Sequence, residues 1–402
     1  MERKGVKQKK RTSLDKIKYS FFFLIALMAC PWSVGAGPEA PPHNSNPFLR
    51  PLATLPRFEK IVAGKYVEDY QSWRFIYTLD PVLQIWTWDY LRTHRPPYAS
   101  FIALEPQNGR ILVLADYAQE NPSYPGVWQK ASYPAASIFK IVTAAGALEK
   151  GVLAYNSIVF FRGNQYLLTP QKLQENKRER RINFDEALGK SNNVVFGRIA
   201  SKLLGAPSLR NFSAAFGFNQ TLPFDYSLEP SKALIPEETY ELARCGAGFG
   251  EVTLNPLHAA LIAGLIANRG VMMRPYLIAA IHNHQQQKIY EAKPAIIDQP
   301  ISSKTASDLT RMMIRTVEDG TAAKAFQPTE KKFLKNITIC GKTGHLSGQN
   351  PPGLYDWFIG FAPVENPRIA FSVLTINQNG YKVKGTILAR EFLKEFFRDV
   401  IN

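Results

Sequence analysis

Pro134-Ala135-Ala136-Ser137-Ile138-Phe139-Lys140-Ile141-Val142-Thr143-Ala144-Ala145-Gly146-Ala147-Leu148 places a hydroxyl and an amine at the head of a segment that is apolar almost all round until Gly151. Such a segment is expected as a central buried helix, started at the proline and small residues that precede Ser137. Its first turn would hold Ser137 among free backbone N–H groups, where the helix dipole favours a developing oxyanion. Lys140, three residues on, returns to the same face. Buried and near another cation, that amine loses its proton readily and can take the proton of the serine. The same letters also describe a polar first turn capping a core helix. Ser13 to Lys16 repeats the S-x-x-K spacing in a charged tail, so the surroundings have to decide.

Downstream, Ser191-Asn192-Asn193 follows a helix-like Phe184-Asp185-Glu186-Ala187-Leu188-Gly189-Lys190. A hydroxyl at Ser191 can relay a proton to a leaving amine, and an amide at Asn193 can fix both Lys140 and a substrate carbonyl. Further on, Lys342-Thr343-Gly344 continues a strand expected over 337–340. The lysine offers positive charge to a carboxylate, and the glycine lets backbone come close. Taken alone, the first of these is an ordinary loop and the second a surface strand with a turn.

Around the motifs, strand patterns at 101–105 and 110–115 flank the turn Pro106-Gln107-Asn108-Gly109. Two more, at 357–362 and 369–376, are separated by Val364-Glu365-Asn366-Pro367. A closing helix from Ile387 places Leu388, Phe392, Phe396 and Val400 on one face. The middle of the chain is helical in pattern over 187–204 and 254–268, ended by Gly205 and Gly270. Strands at both ends with a helical middle imply an α+β fold. Its expected form is an antiparallel five-stranded sheet with flanking helices and a mostly helical inserted subdomain.

With 402 residues and 45% hydrophobic content the chain can bury a full core. Part of the net charge of +16 sits in the first eighteen residues, where Arg3, Lys4, Lys7, Lys9, Lys10, Arg11, Lys16 and Lys18 face only Glu2 and Asp15. No RNA-binding signature and no basic helix with interleaved aromatics is present, so nucleic acid is not an expected partner. A basic surface toward an anionic polymer such as a cell wall suits the charge equally well. The tail runs into Phe21-Phe22-Phe23-Leu24-Ile25-Ala26-Leu27-Met28-Ala29-Cys30-Pro31, the basic-apolar-small layout of an export signal. Cleavage after Ala36, lipidation at Cys30 and retention as a membrane anchor all place the remainder outside the cytoplasm. Residues 1–36 are thus expected as tail and signal or anchor, 37–73 as a Pro-rich linker, and 74–402 as the functional domain.

Cys245 and Cys340 are open to two readings, a disulfide or two buried free thiols. Neither stands in a C-x-x-C or Cys/His cluster, and His282 and His284 form an H-x-H of the kind found on exposed strands. No metal and no cofactor is therefore expected. The run Lys177, Arg178, Arg180, Arg181 is expected as a solvated face, with a partner or glycan contact as the alternative.

The chain resembles the transpeptidase domain of penicillin-binding proteins, in the β-lactamase-like superfamily, over 74–400. The likeness rests on Ser137-Ile138-Phe139-Lys140, Ser191-Asn192-Asn193 and Lys342-Thr343-Gly344, in that order. Similar segments extend it: Tyr77-Thr78-Leu79-Asp80-Pro81-Val82-Leu83-Gln84, Ala103-Leu104-Glu105-Pro106-Gln107-Asn108-Gly109-Arg110-Ile111-Leu112, Glu186-Ala187-Leu188, Gly248-Phe249-Gly250, Asn255-Pro256-Leu257, Asp319-Gly320-Thr321-Ala322 and Trp357-Phe358-Ile359-Gly360-Phe361-Ala362-Pro363.

The resemblance implies acyl transfer from the D-Ala-D-Ala end of a peptidoglycan stem peptide, at the extracytoplasmic (periplasmic) face of a bacterial inner membrane. It implies Ser137 as nucleophile, Lys140 as base, and Ser191 and Asn193 as relay and clamp. Lys342, Thr343, Gly344 and His345 would bind substrate, with the backbone N–H groups of Ser137 and His345 as oxyanion hole. It also implies β-lactam antibiotics as covalent inhibitors and a separate glycosyltransferase as partner.

Three departures stand out. His345 replaces the usual Thr or Ser, as in some low-mass D,D-carboxypeptidases, and leaves water or an amine open as acceptor. The 37–73 stretch is too short for a glycosyltransferase domain or a large pedestal, and Ile138 replaces a frequent hydroxyl residue. The rival functions are a D,D-carboxypeptidase, a β-lactamase using Glu251 of Glu251-Val252-Thr253-Leu254-Asn255, and a non-catalytic β-lactam sensor or scaffold.

Overall fold

Tyr98–Leu104 (β1) is buried from end to end. Ile102 and Leu104 join one apolar cluster, while Ala99, Phe101 and Ala103 join the other. A strand that is apolar on both faces belongs at the centre of a sheet with a layer on each side. Its hairpin partner is Ile111–Ala118 (β2). Gly109 closes the turn at φ 79°, where a Cβ would stand 2.1 Å from Arg274 O. Three strands from the far end of the chain complete the sheet: Cys340–Gln349 (β3), Pro352–Ala362 (β4) and Ile369–Asn377 (β5). The order is β3-β4-β5-β1-β2, antiparallel throughout, which is the expected five-stranded α+β sheet. The computed structural model describes residues 58–119, 126–326, 334 and 337–401. The expected signal or anchor at 1–36, with Cys30, and the Pro-rich stretch up to 57 lie outside the described residues.

Each face of the sheet carries helices. Pro81–His94 (α1) starts where Asp80 accepts from the Val82 and Leu83 N–H groups. Lys140–Glu149 (α2) and Pro256–Ala267 (α3) supply the cluster on the Ile102 face, and α3 is buried at every position, so it has no polar stripe. Gly385–Phe396 (α4) packs with α1 on the opposite face, where Phe392 meets Phe101 at 4.4 Å between ring centroids. Between β2 and β3 lies the helical insert. Among the described residues no helix is long and apolar enough to cross a membrane.

Four expectations are corrected or resolved. The stretch 60–77, expected as linker as far as 73, forms strands Lys60–Val62, Lys65–Tyr70 and Trp73–Tyr77. They join Ile278–Asn283 and Lys288–Glu291 in a second five-stranded sheet. Proline enrichment ends at Pro56, and Ala63-Gly64, both at positive φ, make a two-residue hairpin turn that prolines upstream do not announce. The 187–204 segment is not one helix but Phe184–Gly189, Asn193–Arg198 and a π-helical turn Ile199–Leu204. Ser191, at φ 54°, breaks it. The strand expected over 337–340 begins only at Cys340 and runs through the Lys342 motif, which lies within an edge strand. Cys245 and Cys340 are both free and buried, which settles that pair as thiols.

Candidate active site

The segment entering Ser137 is held before its helix begins. Ala135 N–H donates to Val252 O (2.9 Å), Leu254 N–H to Tyr133 O (2.8 Å), and Trp357 Nε1–H to Pro134 O (2.9 Å). Ala136 takes φ 49°, a left-handed conformation that an alanine keeps only where its surroundings impose it. Gly248 packs on that turn so closely that a Cβ would lie 1.9 Å from Ala136 O.

As a result Ser137 sits in a 3-10 turn, Ala136–Phe139, and α2 starts only at Lys140; the expected place in the first α-turn is corrected. In a 3-10 turn residues i and i+3 eclipse, which sets Lys140 directly beside Ser137. Lys140 Nζ donates to Ser137 Oγ at 2.7 Å and to Ala247 O at 2.7 Å. Ser137 is half-buried, while Lys140 has no exposed surface. Burial first, and then the charge of Lys342, hold the Lys140 amine well below the usual lysine range.

Ser191, in its left-handed conformation, turns the chain between two short helices, and its neighbour Asn192 caps the second by accepting from the Val194 and Val195 N–H groups (3.1 Å each). Asn193 was expected to fix Lys140. Instead its Nδ2 donates to Tyr166 O (2.6 Å), and the Ala247 carbonyl grips the lysine, because the turn carrying Gly248 reaches Nζ from the other side.

On β3 the register pairs Lys342 with Ile359, Gly344 with Trp357 and His345 with Asp356. Lys342 Nζ donates to Ser191 Oγ (3.1 Å) and Thr343 O (2.9 Å). It is wholly buried, and burial pushes its pKa down to about 7. Its amine is thus turned inward, onto the Ser191 hydroxyl. Thr343 Oγ1 hydrogen-bonds Thr321 Oγ1, from the loop after the Ser303–Glu318 helix. Gly344 lets β3 approach the nucleophile turn: a Cβ there would meet Ile138 Cγ1 at 3.2 Å and Ala135 O at 3.4 Å. His345 is exposed, with Nε2 2.7 Å from Oδ1 of buried Asp356. Asp356 Oδ2 in turn accepts from Gly385 N–H (3.1 Å).

The three motifs therefore meet. Ala247, Thr321 and Asp356 also shape the site and were given no role from sequence, and Asn192 stood in its motif without the capping role it has here. Gly248-Phe249-Gly250 and Asp319-Gly320-Thr321-Ala322 did stand out as segments, but a carbonyl or a threonine gains its role only from what folds against it. Glu251, the rival deacylating carboxylate, is exposed, and its backbone carbonyl accepts from Leu234 N–H (3.0 Å).

Residues 99–397 match the family model for the penicillin binding protein transpeptidase domain. The peptidoglycan D,D-transpeptidase PbpA of Mycobacterium tuberculosis is 28% identical over 337 residues, covering 75% of this chain and 66% of that protein. The peptidoglycan D,D-transpeptidase MrdA of Haemophilus influenzae is 24% identical, over 70% of this chain and 46% of that protein. The chain thus spans just under two thirds of PbpA and about half of MrdA. Among solved structures, a penicillin G acyl-enzyme complex of penicillin-binding protein A from M. tuberculosis superposes with a TM-score of 0.64 at 25% identity, covering 81% of this chain and 80% of that one. Because the matched residues take in all five strands of the central sheet from Ala99 onward, the helical insert and all three motifs, the chain belongs to the penicillin-binding protein transpeptidase domain family.

Proposed function

We propose that this chain is a serine D,D-transpeptidase that acts on the D-Ala-D-Ala end of peptidoglycan stem peptides through a Ser137 acyl-enzyme, and that penicillin acylates the same serine. The observation that carries this reading is the 2.7 Å contact between Lys140 Nζ and Ser137 Oγ, an amine sealed from solvent beside a hydroxyl that reaches it. A lysine kept neutral by burial takes the hydroxyl proton as Oγ attacks the carbonyl. The backbone N–H groups of Ser137 and His345 receive the oxyanion. Ser191, hydrogen-bonded to Lys342, hands a proton to the leaving amine. Lys342 acts on the terminal carboxylate through a field little screened by solvent, with Thr343 as the contact. Asn193, anchored on Tyr166 O, lines the substrate side.

The working domain is assigned to the residues from Lys60 onward, whose first strands pair with 278–291, and residues 1–36 to export or anchoring at the periplasmic face of the inner membrane. What supports this is the basic-then-apolar order of the tail. A separate glycosyltransferase supplies the glycan strands, and no cofactor takes part. The deciding experiment incubates purified protein and its Ser137→Ala variant with a disaccharide pentapeptide, with and without an amine acceptor. Release of D-alanine with cross-linked product, reduced at least ~10³-fold in Ser137→Ala, is expected. Release by water alone makes the chain a carboxypeptidase, and rapid turnover of penicillin makes it a β-lactamase. Absence of both release and penicillin adduct refutes an enzyme.

A further inference from the structure

A cleft of about 650 Å³ opens between the strand Arg180–Asn183 and the Gly320-Thr321 loop. Its lining is continuous with the active site. Thr321 is hydrogen-bonded to Thr343, Tyr166 lends its carbonyl to Asn193, and Lys190 immediately precedes Ser191. Its charges do not balance. Both carboxylates of the lining are already engaged, Glu186 by Lys190 and Asp319 by Arg315 at 2.6 Å. Two arginines remain. Arg180 lies over the Phe161 ring at 4.6 Å and donates to Gly163 O, with no carboxylate partner among the described residues. The exposed Arg181 side chain has no hydrogen bond or ion pair among them. Two arginines lining one cleft, neither with a carboxylate partner among the described residues, suit an anion, and the planar guanidinium favours a carboxylate.

Reaction chemistry says which anion passes there. In the first half-reaction a leaving amine departs with its terminal carboxylate over Thr343, and its proton comes by way of Ser191. The second half-reaction runs that path in reverse: an incoming amine occupies the vacated place and gives its proton back. The cleft that begins at Thr321 and Lys190 is where the remainder of such an amine would extend.

We propose that this cleft is the acceptor subsite, where Arg180 and Arg181 hold a carboxylate of the amine-bearing peptide that resolves the acyl-enzyme; the inference rests on the acyl-transfer reading above. The amine nitrogen bonds to the acyl carbon, the carbon–Oγ ester bond breaks, and the proton lost by nitrogen returns to Ser137 Oγ. Nothing else is consumed. Water in the same place leaves a free carboxylic acid instead, so occupancy of the cleft sets the choice between cross-linking and hydrolysis.

The test uses the purified chain, Arg181→Glu and Arg181→Lys, with a disaccharide pentapeptide donor. Its acceptor is a peptide amine, supplied with free carboxylates or with those carboxylates amidated. A separate sample of each protein is labelled with penicillin, which reports folding and acylation competence apart from the acceptor assay. Expected are a rise of about tenfold or more in acceptor KM and a shift of products toward hydrolysis for Arg181→Glu, with a smaller rise for Arg181→Lys, which keeps the charge and loses the planar fork. The amidated acceptor should be equally poor with wild type and with Arg181→Glu. If Arg181→Glu takes no label, the wild-type comparison of free and amidated acceptors decides alone. An acceptor KM indifferent to both the variant and amidation, in protein that labels normally, overturns this proposal only. Wild-type protein that neither labels nor releases D-alanine overturns the acyl-transfer reading itself.

Discussion

Two buried lysines set the behaviour of the site at the scale of single residues. Lys140 must be neutral to act as base, and burial with a neighbouring charge holds its pKa well below the ordinary lysine value. Acylation should therefore persist at neutral pH, where an ordinary lysine is protonated. Lys342 titrates at about 7, so its ammonium is lost as pH rises through that value. In the free enzyme the second-order rate of acylation by an anionic substrate should fall above about pH 7, and Lys342→Arg, which stays charged, should remove the fall. A stopped-flow pH profile of both proteins checks this, and an unchanged alkaline limb in Lys342→Arg would count against it.

The same shift has a cost in stability. The unfolded chain holds a proton at Lys342 up to about 10.5, while the folded chain releases it near 7, so lowering pH through that window favours unfolding. Lys342→Met should raise stability at pH 7 by on the order of 2–4 kcal/mol while removing activity. Denaturant melts at pH 7 and 10 check it, with a smaller difference expected at pH 10.

At the scale of elements, the placement of Ser137 depends on a turn built by a residue more than a hundred positions away. Gly248, at φ 91°, leaves room for Ala136 O, and the neighbouring Ala247 carbonyl grips Lys140. Gly248→Ala introduces a Cβ 1.9 Å from that oxygen and a backbone strain of its own. It is expected to slow penicillin acylation at least ~100-fold and to destabilise by roughly 2 kcal/mol or more. Labelling kinetics below the melting temperature separate the two effects. This element also shows where sequence reading stopped. The S-x-x-K spacing places a hydroxyl and an amine on one face, which local geometry suffices to say. That the turn is 3-10, and that Asn193 serves Tyr166 rather than Lys140, depends on partners that spacing does not encode.

For the whole molecule, the sheet separates stability from chemistry. Phe101 and Phe392 are fully buried on the face away from α2. Phe392→Ala should therefore cost about 3–5 kcal/mol of stability and leave the acylation rate of the folded protein unchanged, as thermal melts and penicillin labelling at 20 °C will show. The sequence by itself determined the five-stranded sheet, the central helix and the three motifs, because each is written in local periodicity: apolar strands, an all-round apolar helix, short fixed spacings. It also marked Pro56 as the end of proline enrichment, but not the strands that follow. Only the tertiary structure decided that residues 60–77 pair with 278–291, that Lys342 turns its charge onto Ser191, and that Arg180 and Arg181 stand beside Thr321 without carboxylate partners among the described residues. Those facts depend on which distant surfaces meet, and on how burial there changes the charge a lysine can keep.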